Sequence, residues 1–247
     1  MKRNDAEVVI LCGGKGTRMR EETQARPKPM VEIGGKPILW HIMRYYSHFG
    51  FYRFILALGY KGEQIKRYFH AKPHSLSAGD RCDITCVDTG LETLKGGRIK
   101  RLEPYIKSSH FHLTYGDGLT DADISKLDSF HRRHGKTGTV TAVRPPSRFG
   151  EMTISRNRVK EFEEKPQLST GHINGGYFVF ERSFLKYLKP DEDCDFEFGP
   201  LQKLAKEGRL MAFRHEGYWQ CMDTVRDAEY LNRIWRSGDA PWKVWDR

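Results

Sequence analysis

Hydrophobic positions fall along this chain in two rhythms that take turns. Short strand-like runs at residues 8–12, 53–58, 83–87, 111–115 and 139–143 have the length and the β-branched or aromatic content of strands. Between them, residues 37–49 (with Pro37 in the first turn), 63–69, 97–106 and 121–134 carry apolar side chains at helical spacing. This β-α-β-α order predicts an α/β fold: a mostly parallel sheet with helices on both faces and right-handed crossovers. Ligands of such sheets lie beyond the carboxyl ends of the strands, where Gly13-Gly14 and Gly116-Asp117 fall.

After Pro145-Pro146 the rhythm changes. Residues 152–155 and 159–162, around Arg156-Asn157-Arg158, predict a hairpin, residues 173–180 a further strand, and residues 198–206 and 224–235 two helices. No internal repeat, low-complexity tract or linker interrupts the chain, so residues 1–247 are read as one domain. The tail, residues 237–247, places Trp242 and Trp245 around Pro241, with Trp235 just before it. It is too aromatic to float in water, and packs on its own body or on a neighbouring subunit.

Composition narrows the class. Five cysteines (Cys12, Cys82, Cys86, Cys194, Cys221), an odd number with no Cys-x-x-Cys pair, point to reduced thiols in a cytoplasmic protein without structural zinc. No apolar run reaches the length of a membrane span, and residues 8–12 are too short for a secretory signal. The net charge of +10 is compatible with a nucleic-acid surface or with a field that draws in small anions. Its basic residues are scattered and no nucleic-acid-binding motif accompanies them, which favours the small anion.

The most informative stretch is Leu11-Cys12-Gly13-Gly14-Lys15-Gly16-Thr17-Arg18, followed by Arg26-Pro27-Lys28-Pro29-Met30. Bare backbone N–H groups in such a turn can close on phosphate oxygens, and Arg18 and Lys28 add fixed positive charge. It is not a Walker loop, because Gly16 follows Lys15 and Val9 stands where the earlier glycine belongs. It is not the dinucleotide turn either, since Met19 occupies the third glycine position. Farther on, Asp117 sits between Gly116 and Gly118 at a strand end, exposed enough to be a Mg²⁺ ligand, although an aspartate there can be simply a turn residue. Asp223 precedes a helix and could be its N-cap. Asn174-Gly175-Gly176 offers close backbone approach and a two-way amide, or a strand bulge.

Together these runs resemble the sugar-1-phosphate nucleotidyltransferases, over nearly the whole chain. Within that family, residues 28–43, Val87-Asp88-Thr89-Gly90, Thr114-Tyr115-Gly116-Asp117-Gly118, Ile173-Asn174-Gly175-Gly176, Trp219-Gln220 with Met222-Asp223-Thr224, and Ala240-Pro241-Trp242-Lys243 look like the branch that makes CDP-glucose from CTP and glucose 1-phosphate. The resemblance implies a Rossmann-like nucleotide-binding half (1–145) and a half with a smaller sugar-binding β region and the second metal ligand (146–236). It implies Mg²⁺ shared by Asp117 and Asp223. It puts Leu11, Gly13, Gly14, Gly16, Thr17, Arg18, Lys28 and Gly116 on the nucleotide, with Thr89, Gly90 and Gly97 as base-side candidates. Gly150, Glu164, Lys165, Asn174 and Gly175 would face the sugar, and Arg18, Lys28 and Lys165 would act in catalysis. The expected partners are the two small-molecule substrates, with no nucleic acid and no membrane, in a homo-oligomer. Three departures stand out: Cys12 where alanine is usual, Cys221 where the branch has proline, and a shorter stretch at 69–83. Asp121-Ala122-Asp123 has the spacing of a glycosyltransferase metal motif, but it opens a helix, where acidic residues oppose the dipole.

Overall fold

The structure, a computed structural model, describes residues 4–71, 82–145, 151–155, 157–163 and 171–246. Seven strands form the main sheet: β1 (Asn4–Leu11), β2 (Phe51–Leu58), β3 (Asp83–Asp88), β4 (His110–Tyr115), β5 (Gly138–Val143), β6 (Ile173–Glu181) and β7 (Leu210–His215). Their order across the sheet is β7-β5-β6-β4-β1-β2-β3. All neighbours run parallel except β6, which is antiparallel to both β4 and β5. The helices are α1 (Ile38–His48), α2 (Gly62–Ala71), α3 (Lys95–Arg101), α4 (Ile124–His134), α5 (Gln202–Lys206) and α6 (Val225–Arg236).

Why the strands read as unbroken apolar runs is visible in the core. Val8 and Ile10 of β1, with Phe54, Leu56 and Leu58 of β2, pack in one layer with Ile38, Leu39, Ile42 and Met43 of α1. The alternate residues, Val9, Ile55 and Ala57, pack in the other with Phe111, Leu113, Phe178, Phe180 and Ile99 of α3. A strand covered on both faces shows few polar residues, and the buried Glu7 of β1 is paired with Arg53 at 2.7 Å. Each buried Leu, Ile or Phe contributes about 1.5–3 kcal/mol, which makes these two layers the main support of the sheet.

Several boundaries differ from expectation. The helix expected at 97–106 is α3, which begins at Lys95 and takes in Gly96 and Gly97. Those glycines are poor helix formers, yet a Cβ on Gly97 would lie 2.2 Å from the Asp191 carbonyl, so close packing requires them. The helix expected from 121 begins at Ile124, because residues 118–120 pair as a strand with Trp219–Cys221. The helix expected from 198 begins at Gln202: Phe198 and Gly199 are non-helical and Pro200 follows. β7 was not anticipated.

The hairpin is present as Glu151–Ser155 against Arg158–Glu163. Of the two docking choices for the tail, the structure shows the first: Trp242 is fully buried and its Nε1 donates to His41 Nδ1 of α1 at 3.3 Å. Trp40 meets Trp245 edge-on at 5.9 Å.

Candidate active site

Two loops leave adjacent parallel strands side by side. β1 stops at Leu11, whose carbonyl accepts the Gly116 N–H at 3.1 Å, so the glycine turn and the Gly116-Asp117-Gly118 turn share one rim. A Cβ on Gly116 would lie 3.0 Å from that carbonyl and from the Pro29 side chain, which explains the glycine. Gly16 takes a left-handed φ of 63° and starts the short turn that carries Arg18. Below this rim lies a cavity of about 540 Å³. Leu11, Gly13, Gly14, Gly16, Thr17, Arg18, Lys28, Gly116, Asp117, Asn174, Gly175 and Asp223 all line it.

Lys28 is the centre of the charge cluster. Its Nζ donates to Asp117 Oδ2 at 2.6 Å and to Asp223 Oδ1 at 2.7 Å. Arg18 Nη1 donates to the other oxygen of Asp223 at 2.7 Å. Asp223 reaches Asp117 because Cys221 pairs with Gly118 and Met222 N–H donates to the Asp117 carbonyl at 2.8 Å. The helix cap is Thr224, which forms a reciprocal capping box with Asp227, so Asp223 is not needed for that task. Burial alone would push the Lys28 ammonium down, but Asp117 and then Asp223 hold it above its ordinary value. Burial likewise disfavours charge on Asp223, yet Lys28 and Arg18 keep it below the usual carboxylate range.

Two converging carboxylates fit a cation that takes its remaining ligands from elsewhere. No cluster of three or more His, Cys, Asp or Glu side chains suited to a metal occurs among the described residues. That donor set suits Mg²⁺, which keeps waters and binds substrate phosphates, better than zinc or calcium, which need more protein ligands. Cys221 Sγ is 3.6 Å from Asp223 Oδ2, and burial together with Asp223 pushes its thiol up to about 12.

On the other wall, Asn174 Oδ1 accepts the Gly176 N–H at 2.8 Å, and the register against β5 shifts between Asn174 and Phe178. The bulge is therefore real, and it presents the segment to the cavity. Gly176 has φ 77° and a Cβ there would strike the Tyr115 ring at 2.6 Å. Thr89, Gly90 and Gly97 are absent from the cavity lining. Thr89 is buried, its Oγ1 donating to the Leu58 carbonyl at 2.6 Å. Gly150, Glu164 and Lys165 lie outside the described residues. Asp121 and Asp123 are occupied structurally: Asp121 accepts the Tyr218 N–H at 2.7 Å and pairs with His215, and Asp123 caps α4.

Sequence reasoning missed Arg98, Lys95, Tyr115 and Glu197, all of which line the cavity. Arg98 is buried beneath the glycine turn, where Nη2 donates to the Gly13 carbonyl at 3.2 Å and to Leu91, and Nη1 to the carbonyls of Leu58 and Gly90 and the Thr89 hydroxyl. All these acceptors are neutral, so its positive charge stays under the loop. Only the neighbouring Gly96-Gly97 could have drawn attention to it.

Comparison with known proteins places the chain in a family. The profile of the nucleotidyl transferase family matches residues 7–228. The chain is 46% identical over 257 residues to the glucose-1-phosphate cytidylyltransferase of Salmonella typhi, covering 97% of this chain and 100% of that one. It is 45% identical over 254 residues to the probable glucose-1-phosphate cytidylyltransferase of Bacillus subtilis (strain 168), with the same coverage. Among solved structures, HddC from Yersinia pseudotuberculosis superposes with a TM-score of 0.72 at 28% identity, over 93% of this chain and 99% of that one. A UDP-glucose pyrophosphorylase complexed with UDP-glucose shares the fold, with a TM-score of 0.73 at 16% identity over 94% of this chain and 99% of that one. A glycine turn over a buried arginine, two aspartates meeting on Lys28, and relatives matched from end to end have one common explanation: the chain belongs to the nucleotidyl transferase family.

Proposed function

We propose that this enzyme transfers the cytidylyl group of CTP to α-D-glucose 1-phosphate, giving CDP-glucose and pyrophosphate, in the cytoplasm. The observation that carries the reading is the meeting of Asp117 and Asp223 on the Lys28 ammonium, with Arg18 on Asp223 and the glycine turn lining the same cavity, in a chain so similar to named cytidylyltransferases.

The chemistry asks little of a side chain. A phosphate oxygen of the sugar 1-phosphate, already an anion at neutral pH, attacks the α-phosphorus in line. The bond from the α-phosphorus to its bridging oxygen breaks, and pyrophosphate leaves with the electron pair. No general base and no covalent intermediate are required. Alignment and charge neutralisation are what the protein supplies. Arg18 and Lys28 embrace the triphosphate and the departing pyrophosphate, and backbone N–H groups of Gly13, Gly14 and Gly16 cradle it. Lys165 holds the attacking phosphate, while Glu164, Gly150, Asn174 and Gly175 meet the sugar. Asp117 and Asp223 hold Mg²⁺, which when bound offsets the charge that develops on the phosphates.

A pyrophosphate-release panel tests this: CTP, UTP, dTTP, GTP and ATP, each against several sugar 1-phosphates. The expected best pair is CTP with glucose 1-phosphate. A clear preference for another nucleotide overturns the cytidylyl assignment, and sugar transfer from a ready-made nucleotide sugar overturns the reaction type.

A further inference from the structure

The cavity holds a second carboxylate site, away from the Lys28 cluster, whose chemistry suits hydroxyl groups rather than phosphate. Glu197 lines the cavity, and its two carboxylate oxygens accept from Lys95 Nζ and the Tyr115 hydroxyl. Tyr115 is tied in turn to the bulged wall, since Asn174 Nδ2 donates to its hydroxyl at 3.4 Å. Lys95 also lies over the Tyr115 ring, 5.6 Å from its centre.

The position of Glu197 is fixed by its backbone. Its N–H donates to Asp195 Oδ1 at 2.8 Å, and it opens the irregular turn in which Gly199 takes φ 108° and Pro200 blocks a helix. The preceding loop is pinned to α3 by the Leu94 N–H on the Glu192 carbonyl and the Gly97 N–H on the Cys194 carbonyl. A carboxylate has about four acceptor positions. Lys95 and Tyr115 occupy one on each oxygen, and the side chain keeps 27% exposure.

We infer that Glu197 is a specificity-determining residue, accepting hydrogen bonds from two adjacent hydroxyls of the hexose 1-phosphate. The assignment rests on the function proposed above. A phosphate presents acceptors to Glu197 and would be repelled, whereas a vicinal diol presents the donors this carboxylate lacks. Lys95 cancels its charge, so it does not drive off the phosphate on the same sugar. The other diol in the reaction is the ribose of the nucleotide, and the experiment separates the two.

Wild type and Glu197→Gln, an isosteric change, are compared with glucose 1-phosphate, its 2-, 3-, 4- and 6-deoxy analogues, CTP and dCTP. Turnover and calorimetric binding are both read. Glu197→Gln is expected to raise the KM and Kd for glucose 1-phosphate about tenfold or more, with those for CTP within about twofold. The wild-type penalty for one adjacent pair of deoxy positions should shrink by a similar factor in the variant. Tyr115→Phe should move the same penalties in the same direction, more weakly. Unchanged deoxy-sugar penalties, or a lost penalty for dCTP instead, overturn the inference. Binding remains readable if no nucleotide is turned over, so failure of the proposed reaction and failure of the Glu197 assignment give different results.

Discussion

Strand β4 carries a carboxylate cluster at each end, and the two ends do opposite things. At its amino end, His110 Nε2 and His112 Nε2 both meet Asp128 Oδ1, at 2.9 and 3.2 Å, and Arg132 takes the other oxygen at 2.9 Å. Just past its carboxyl end, Asp117 and Asp223 share Lys28 at similar distances. Asp128 is 2% exposed, whereas Asp117 and Asp223 keep 26% and 17%. Every partner of Asp128 comes from α4 or β4, so the cluster ties that helix to the sheet. The partners at the other end face open volume and can be exchanged for the charges of a ligand. Hydrogen-bonded carboxylates with a basic partner stand at both ends. What separates scaffold from site is access.

The largest test of this contrast exchanges one carboxylate at each end. Asp117→Asn and Asp223→Asn should each lower kcat about a hundredfold or more, since charge stabilisation at the reacting phosphates is lost. Their thermal unfolding should stay close to wild type. Asp128→Asn should do the reverse, keeping activity per folded molecule while costing about 1.5–3 kcal/mol in urea unfolding, because the buried His112 and the half-buried His110 lose a charged acceptor. A variant at either end that shifts both readouts equally would erase the distinction.

A smaller, graded effect follows at the amino end. Burial holds His112 below its ordinary value, and burial with the neighbouring His134 and His110 holds His131 down to about 3. Asp128 is also depressed: burial opposes its charge, but His110 and His112 outweigh that. Both kinds of shift act in one direction. Below the ordinary histidine value of 6.5 the unfolded chain binds protons that the folded chain excludes, so stability falls as pH drops. The slope is at most about 1.4 kcal/mol per pH unit for each group. His131→Gln should flatten the loss between pH 6.5 and about 3 in urea melts. An unaltered slope would remove His131 from the account.

How much of this could be read in advance differs from region to region. The runs of β1 and β2 were legible because burial on both faces selects apolar residues at consecutive positions, Val8–Ile10 and Phe54–Leu58, whereas β4 interleaves the buried polar His112 and Thr114 with Phe111 and Leu113. The glycine turn and Asp117 were legible because loops at strand ends carry their own chemistry. β7 was not, since this edge strand has no fully buried residue and only a short alternation, with Ala212 and Arg214 exposed between half-buried neighbours. Arg98 and Glu197 were hidden for another reason. Arg98 gathers acceptors from Gly13, Leu58, Thr89, Gly90 and Leu91, segments that only the folded sheet brings together. Glu197 depends on Lys95 and Tyr115, both remote in sequence. Spacing rules see neighbours along the chain, and these groups are neighbours only in space.

Lys28 sharpens the comparison last, because in the free protein its ammonium stands where a cation shared by Asp117 and Asp223 would stand. With Arg18 added, two positive groups balance two carboxylates. A divalent ion would displace the Lys28 ammonium most readily if Lys28 were drawn to another anion, and the triphosphate proposed above is such an anion. Metal affinity should therefore be weak without nucleotide. Lys28→Met, which bares both carboxylates, should bind Mn²⁺ about tenfold more tightly in the free state, on the scale of one lost charge contact. Calorimetric or paramagnetic titration without nucleotide reads this directly. If the variant binds Mn²⁺ no better than wild type, Lys28 does not guard the site, and the aspartates are as closed to exchange as Asp128.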